Sequence, residues 1–199
     1  LWVSHRAERR LSHARAWLGA QGDASRLLLV GTPLALSRLV HGSLQPERAC
    51  FGWQRQSLSS FAGALVESAL AESGRLPATE LGMEAAACRV IAALHASGQL
   101  GRFAGVSQRP GLPRALVRTF NDLELGRVSF NALESQTPDL VRLLESLRRE
   151  LARLKLVTRA QVLELASNAL ADCALEFSAV LFLDPRVHHA AEAELLTAL

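Results

Sequence analysis

The sequence is poor in cysteine and in long apolar runs. Its three cysteines, Cys50, Cys88 and Cys173, lie far apart, and no two of them form a CxxC pair. An odd number with this spacing argues against a disulfide framework or a zinc site, so we expect ordinary core cysteines and no bound metal. No apolar run approaches the roughly 18–20 residues needed to span a bilayer. We therefore predict a cytoplasmic protein with no membrane partner.

Lysine is also scarce, because Lys155 is the only lysine among 22 basic residues. Arginine suits phosphate recognition through its planar set of donors. A GC-rich genome that favours arginine codons explains the same bias, and lysine is rare along the whole chain. The net charge of +3 permits contact with nucleic acid without requiring it.

The composition predicts an ordered chain with a sizeable core. Hydrophobic residues make up 49% of the 199 residues, enough for one large domain or one domain with an insertion. The chain begins at Leu1 and stops within a helix-like run over residues 190–199. We expect a fragment of a longer protein.

Short apolar runs predict buried parallel strands near both ends of the chain. Residues 26–30 form one run, closed by Gly31, and residues 179–183 form another, followed by Asp184 and Pro185. A looser alternation predicts a further strand at residues 53–57. Between residues 79 and 173 no strand is predicted. Helices are predicted at residues 3–20, 33–41, 59–72 with Ser59 as cap, 80–97, 112–124, 138–155, 158–172 and from about 189.

This order of elements predicts an α/β fold that is mostly helical overall, with a small parallel sheet and a large all-helical insertion. Residues 1–78 would form the first part of the α/β domain. Residues 79–175 would form the insertion, and residues 176–199 would return to the α/β domain.

Several segments carry a resemblance to known helicases. Residues 156–163 (LVTRAQVL) and 181–186 (LFLDPR) are spaced like the "LLDFDDLL" segment and the "LVDEFQ" acidic motif of superfamily 1 helicases of the UvrD type. Residues 101–104 (GRFA), 110–116 (PGLPRAL) and 119–125 (TFNDLEL) resemble the N-terminal region of AddB-like helicase-nuclease proteins. The likeness covers residues 26–199.

The resemblance implies a P-loop-NTPase-like sheet and a role in bacterial DNA repair, in which broken DNA ends are processed for recombination. It also implies an active helicase-nuclease partner subunit. In that family a PD-(D/E)XK nuclease lies at the far C-terminal end of the chain, so the parent protein would be a nuclease subunit. The nuclease motif is absent from this sequence.

The residues that would bind and hydrolyse ATP are missing from the first strand's loop. A phosphate-binding loop needs G-x-x-x-x-G-K-[ST], in which backbone N–H groups and the lysine hold phosphate and the hydroxyl holds Mg²⁺. Here Gly31 is followed by Thr32 and Pro33, Leu36 stands where the lysine is needed, and only Ser37 could supply the hydroxyl.

The acidic motif is degenerate in the same way. Asp184 matches the carboxylate that would hold Mg²⁺, but Pro185 replaces the glutamate that would activate water, and proline cannot act as a general base. Asp184 then has a helix cap or a turn as its favoured role. We expect a degenerate nucleotide site with no catalytic residue, no cofactor and no ATP hydrolysis.

Two groups of residues are candidates for contact with DNA, either single-stranded or at a duplex end. Ser57 and Ser59 fall where active helicases place a motif that touches single-stranded DNA, although turn and cap roles explain them better. Arg109, Arg114 and Arg118 form a basic stretch, in which the last two share a helix face. Ordinary solvated surface is the alternative for these arginines.

The leading hypothesis is an inactivated helicase-like domain of an AddB-like protein, which acts as a scaffold and a candidate DNA-binding surface. The alternative is a protein–protein interaction module with no DNA role. A small-molecule enzyme that uses the loop after residue 30 is a third hypothesis, which lacks a convergent set of catalytic residues.

Overall fold

A computed structural model describes residues 3–21, 26–43, 52–170 and 177–199. Contacts divide the chain into two compact units. The sheet unit comprises Leu1–Leu65 and Ala169–His188, and the helical unit comprises Val66–Asn168 and His189–Leu199. Each unit is therefore assembled from two separate stretches of chain.

The regular elements account for most of the described chain. In order they are α1 (Ala7–Gly19), β1 (Leu27–Gly31), α2 (Pro33–Ser43), β2 (Trp53–Gln56), α3 (Leu58–Glu72), β3 (Leu76–Pro77), α4 (Glu80–Ala96), α5 (Gly111–Leu125), α6 (Pro138–Arg153), β4 (Leu156–Val157), α7 (Arg159–Ala169), β5 (Ala179–Leu183) and α8 (Ala190–Thr197), with 3-10 helices at Gly101–Val106 and Phe130–Leu133. The protein is mostly helical with a small parallel sheet, as predicted.

The sheet unit is built around β1, which pairs in parallel with β2 on one side and β5 on the other. Every residue of β1 is buried, which explains its unbroken apolar sequence. The predictions of parallel strands at β1 and β5 are confirmed, but only β1 is fully buried, because the first four residues of β5 are half-buried. In register, Leu27 lies opposite Ala179 and Gly31 lies opposite Leu183.

Both faces of this sheet are covered. On one face, Leu27 and Leu29 join a cluster with Leu18 of α1 and Leu39 of α2. On the other face, the ring of Phe61 in α3 meets the ring of Phe182 in β5 edge-on, with centroids 5.7 Å apart. Aromatic pairs favour this geometry. The strand ends are thus held in fixed positions from both sides.

The helical unit is centred on α4, α5 and α6, whose apolar faces form one cluster around Val90, Phe120 and Leu144. Phe120 and Phe130 pack edge-on, with ring centroids 5.6 Å apart. This cluster fixes the positions of the charged side chains on the outer faces of the same helices.

A second parallel pair, between β3 and β4, corrects the prediction that no strand lies between residues 79 and 173. Leu76 pairs with Leu156, and its N–H donates to the carbonyl of Lys155 at 3.0 Å. Each strand is only two residues long, too short for an alternating pattern to appear in the sequence.

The last helix belongs to the helical unit, although we predicted that it would return to the α/β domain. Glu192 of α8 is buried and accepts a hydrogen bond from Arg159 at 2.6 Å. Leu195 is fully buried. The unit boundaries fall at residues 65/66, 168/169 and 188/189, whereas the predicted boundaries were 78/79 and 175/176.

No helix within the described ranges is both long and apolar enough to cross a membrane. Cys88 is exposed, whereas we expected core cysteines. The buried face of α4 instead carries Met83, Val90 and Ile91. Cys50 and Cys173 lie outside the described residues.

Candidate functional site

The carboxyl ends of the three parallel strands meet at one edge of the sheet, and the predicted nucleotide-site residues follow them. Thr32 comes directly after β1, Ser57 after β2 and Asp184 after β5. Because Gly31 and Leu183 are register partners, Thr32 and Asp184 leave the sheet from neighbouring positions. Ligands of open parallel sheets bind at this edge, so it is the natural candidate site.

Gly31 is needed here for close packing of the strands. A Cβ at this position would overlap the carbonyl oxygen of Leu183, and it would lie 3.3 Å from a terminal methyl group of Leu36. Leu36, which we compared from the sequence with a phosphate-binding lysine, is 3% exposed and belongs to the core of the sheet unit. Its side chain is therefore used for core packing.

Thr32 acts as the cap of α2. Its hydroxyl oxygen accepts from the N–H of Ala35 at 3.3 Å, and its carbonyl accepts from the N–H of Leu36 at 3.0 Å. Pro33 has no N–H to offer. Ser37 lies one turn into the helix and is half-buried. At this helix end the N–H groups of Ala35 and Leu36 are therefore already bonded and Pro33 offers none.

Asp184 is held by a guanidinium group that the sequence did not indicate. Arg10 Nε lies 2.6 Å from Asp184 Oδ1, and a terminal nitrogen of Arg10 lies 3.0 Å from Oδ2. The other terminal nitrogen donates to the carbonyl of Ser4 at 2.5 Å. The hydrogen bond to Asp184 is the main cause that raises the pKa of Arg10 above its ordinary value. Both oxygens of this carboxylate are engaged by one side chain.

The backbone at Asp184 explains its place between β5 and Pro185. Its φ is +46°, in the left-handed region that aspartate tolerates better than most residues. The turn role favoured from the sequence agrees with this geometry. The helix-cap role does not, because α8 begins six residues later and His189 is its N-cap.

These residues do not fit a magnesium–triphosphate group. Leu36 is an apolar residue of the core, Arg10 already engages both oxygens of Asp184, and Pro185 has no side-chain acid. Within the described ranges, no group of three or more His, Cys, Asp or Glu side chains could hold a metal ion.

The two serines predicted to contact DNA differ in their local roles. Ser57 is the cap of α3, since its hydroxyl oxygen accepts from the N–H of Ser60 at 3.1 Å and lies 2.8 Å from the Ser60 hydroxyl. Ser59, which we predicted to be the cap, lies inside the helix and is exposed. The helix begins two residues earlier than predicted because the strand before it ends at Gln56.

The three arginines of the predicted basic stretch are exposed, but two of them have acidic neighbours. Arg114 lies 3.1 Å from Glu84, and Arg118 lies 4.0 Å from Asp122. Arg109 has no ion pair with the described residues and lines a shallow cavity beside Cys88. The positive charge of this stretch is therefore largely offset.

A stronger basic surface lies between α4 and α6, and sequence reasoning missed it. This basic groove, of about 320 Å³, has an apolar floor of Val90, Ala93 and Leu94. Its rim carries Arg89, Ser146, Arg149, Glu150 and Arg153. Three guanidinium groups thus face one carboxylate.

Glu150 holds two of the arginines of the basic groove. Arg153 donates to both of its oxygens, at 2.8 and 2.9 Å, and Arg89 lies 3.2 Å away. The hydrogen bond from Arg153 is the main cause that lowers the pKa of Glu150. Arg149 contacts only the hydroxyl of Ser146 within the described part, at 3.1 Å. The positive face of α6 could be read from the sequence, but not the approach of Arg89 from α4.

Comparisons of the chain with models of protein families and with curated proteins gave no match.

Proposed function

We propose that this chain is an inactivated helicase-like domain of an AddB-like DNA-repair protein, in which it acts as a scaffold and a DNA-contacting surface beside an active helicase-nuclease subunit. The observation that carries the proposal is the filled carboxyl edge of the sheet. Thr32 and Asp184 leave neighbouring strands there, while Leu36 is packed in the core and Arg10 engages the Asp184 carboxylate, which supports a site without ATPase chemistry.

The first experiment measures ATP turnover by the purified chain, with and without single-stranded DNA and Mg²⁺. We expect no turnover above a buffer control, because neither a phosphate-binding lysine nor a catalytic acid is present. DNA-stimulated hydrolysis that Asp184→Ala abolishes would contradict the proposal.

The basic groove is a surface of the helical unit that suits DNA. Its arginines exceed its carboxylates by two, and guanidinium groups recognise phosphate with paired donors. The apolar floor gives space beside the charges for a base or sugar. The predicted stretch at Arg114 and Arg118 is less suitable, because Glu84 and Asp122 already pair with those residues.

The second experiment measures binding of a fluorescent single-stranded oligonucleotide as the salt concentration rises. Phosphate contacts predict an affinity that falls steeply with salt. We expect Arg89→Gln combined with Arg149→Gln to weaken binding several-fold, whereas the matched pair Arg114→Gln and Arg118→Gln has little effect. Equal losses of affinity in the two double variants would contradict a role of the basic groove in DNA binding.

A protein–protein interaction module is the second candidate function. Leu76 and Leu81 of the helical unit are 67% and 78% exposed, and exposed large apolar side chains mark contact surfaces when they cluster. Absence of oligonucleotide binding even at low salt would favour this candidate over the first.

A further inference from the structure

A cavity in the helical unit collects cations without any carboxylate in its lining. It measures about 310 Å³ and lies where α3 and α6 end and α7 begins. Its lining consists of Ser73, Arg75, Phe120, Arg148, Leu151, Ala152, Lys155, Leu156, Thr158 and Gln161. We call this the cation pocket. It is separate from the carboxyl edge of the sheet and does not rest on the function proposed above.

The pairing of β3 with β4 places two cations of the pocket, Arg75 and Lys155, at neighbouring positions. Leu76 and Leu156 are partners in the β3–β4 pair, so Arg75 and Lys155 occupy the neighbouring positions directly before them. The ammonium group of Lys155 lies 3.6 Å from the point where a side chain on Gly74 would begin. Neither cation has an ion pair with the described residues. Like charges at directly opposite positions are destabilising, so this arrangement favours a bound anion.

The third cation is held rigidly at the wall of the pocket. The guanidinium group of Arg148 stacks over the ring of Phe130, 4.0 Å from its centroid, and a nitrogen lies 3.2 Å from Glu124 Oε1. The other oxygen of Glu124 accepts from the hydroxyl of Thr158 at 2.9 Å. Glu124 offsets the charge of Arg148, so Arg75 and Lys155 supply the uncompensated charge.

The polar side chains of the pocket suit a compact oxyanion. Gln161 brings an amide group that can donate hydrogen bonds, whereas the hydroxyl of Ser73 already donates to the backbone carbonyls of Ala69 and Leu70. The side chain of Gln161 is held in place at the start of α7, because its Oε1 accepts from the N–H of Thr158 at 3.1 Å. Leu156, which is half-buried, adds an apolar side chain to the lining.

We propose that the cation pocket binds the phosphate group of a small phosphorylated molecule, held by Arg75 and Lys155 beside Arg148. The volume accommodates a small ligand. A purely structural role is the competing explanation. The two cations follow the ends of α3 and α6, where a positive charge offsets the negative end of a helix.

Calorimetric titration of the full chain with pyrophosphate, in phosphate-free buffer of low ionic strength, tests the proposal. We expect one-site binding that weakens at least about tenfold in Lys155→Asn and in Arg75→Gln, since a charged hydrogen bond contributes about 1.5–3 kcal/mol and about 1.4 kcal/mol is tenfold. Asparagine tolerates the φ of +56° at position 155, so this variant removes the charge without changing the backbone. Lys155→Arg should retain binding.

The control variant Arg118→Gln removes an exposed charge outside the pocket and should bind as the unaltered chain does. Denaturation curves of all variants report whether they fold. The proposal fails if pyrophosphate does not bind up to about 10 mM, a range that reveals even millimolar affinity. It also fails if Lys155→Asn and Arg75→Gln bind normally. If an oligonucleotide binds through Lys155 and pyrophosphate does not, the small-molecule assignment is overturned.

Discussion

At the scale of single residues, Gly31 has a packing role. It permits β1 and β5 to approach, because a Cβ would meet the carbonyl of Leu183. Sequence patterns predicted that Gly31 and Asp184 would each follow a parallel strand, but not that the two strands would be neighbours. These patterns could not predict Arg10, which reaches Asp184 from 174 positions away and carries no local signal.

Replacement of Gly31 by alanine tests the packing role. We expect Gly31→Ala to lower the free energy of unfolding by about 1–3 kcal/mol, the range for overpacking a well-filled core. Urea denaturation measures the change. Gly63→Ala in α3 is the matched control, since a Cβ there meets nothing within 4 Å and should leave stability unchanged or raise it. Equal effects of the two substitutions would contradict the packing role.

The Arg10–Asp184 pair calls for a double-mutant cycle. Arg10→Gln and Asp184→Asn should each lower the midpoint of denaturation, because each removes one charge and breaks the two-point contact between the guanidinium group and the carboxylate. The double variant should lose less than the sum of the single losses, as expected for groups in direct contact. Asparagine keeps the left-handed turn available. Strict additivity would mean that the two side chains do not interact in solution.

At the scale of elements, the sequence predicted those that are long or wholly buried and missed those that depend on distant contacts. The continuous apolar runs gave β1 and β5, and the helical periodicity gave α4 to α7 with small errors at their ends. The pair formed by β3 and β4 carried no pattern, because two residues cannot show an alternation. The edge residues of the candidate site were predicted, but the basic groove and the cation pocket arise from tertiary packing.

The start of α3 offers a sharp test of the capping geometry. Ser57→Ala should cost about 0.5–2 kcal/mol of stability, since it removes the acceptor for the N–H of Ser60. Ser59→Ala, two residues later on the exposed face, should cost nothing or stabilise slightly, because alanine favours helix. Thermal denaturation of the two variants compares them directly. A larger loss of stability in Ser59→Ala than in Ser57→Ala would mean that Ser59 is the cap of α3.

The packing of α4 against α6 should depend on pH through Glu150. Its pKa is lowered in the folded chain, first by hydrogen bonds from Arg153, so the ionised form contributes stability above the unfolded pKa. That contribution is lost as the pH falls from about 4.3, the ordinary glutamate value, through the folded pKa. Denaturation at several pH values should show a shallower dependence in Glu150→Gln. Glu80→Gln, on the exposed first turn of α4, controls for the loss of a charge.

At the scale of the whole molecule, each unit takes its final piece from a distant part of the chain. We assigned residues 176–199 to one domain because a predicted strand and helix follow each other there, in the order that the resemblance implies for the α/β domain. The structure divides them at residues 188/189, since the buried face of α8 packs within the helical unit while β5 completes the sheet. The order of elements does not show in which core a terminal helix is buried.

Hydrogen exchange can test this division. Leu195→Ala creates a cavity under α8 and should destabilise the helical unit by about 2–5 kcal/mol, the range for truncating a buried leucine. Amide exchange should accelerate in α5, which α8 contacts, before it accelerates in β1. The control variant Leu34→Ala, at a position 63% exposed, should change neither the stability nor the amide exchange of α5 and β1. Earlier acceleration in β1 would place α8 with the sheet instead.

In the sheet, β1 pairs with β2, which follows it closely in the sequence, and with β5, which comes much later. This order has a consequence during synthesis on the ribosome. Leu27–Gly31 can pair with Trp53–Gln56 soon after both emerge, but the strand Ala179–Leu183 appears only after the whole segment 66–168. Translation at about 5–20 residues per second makes this delay several seconds. During that time the nascent chain presents an apolar strand edge that other chains can join. Slower translation of the helical segment should therefore increase aggregation of the newly made protein.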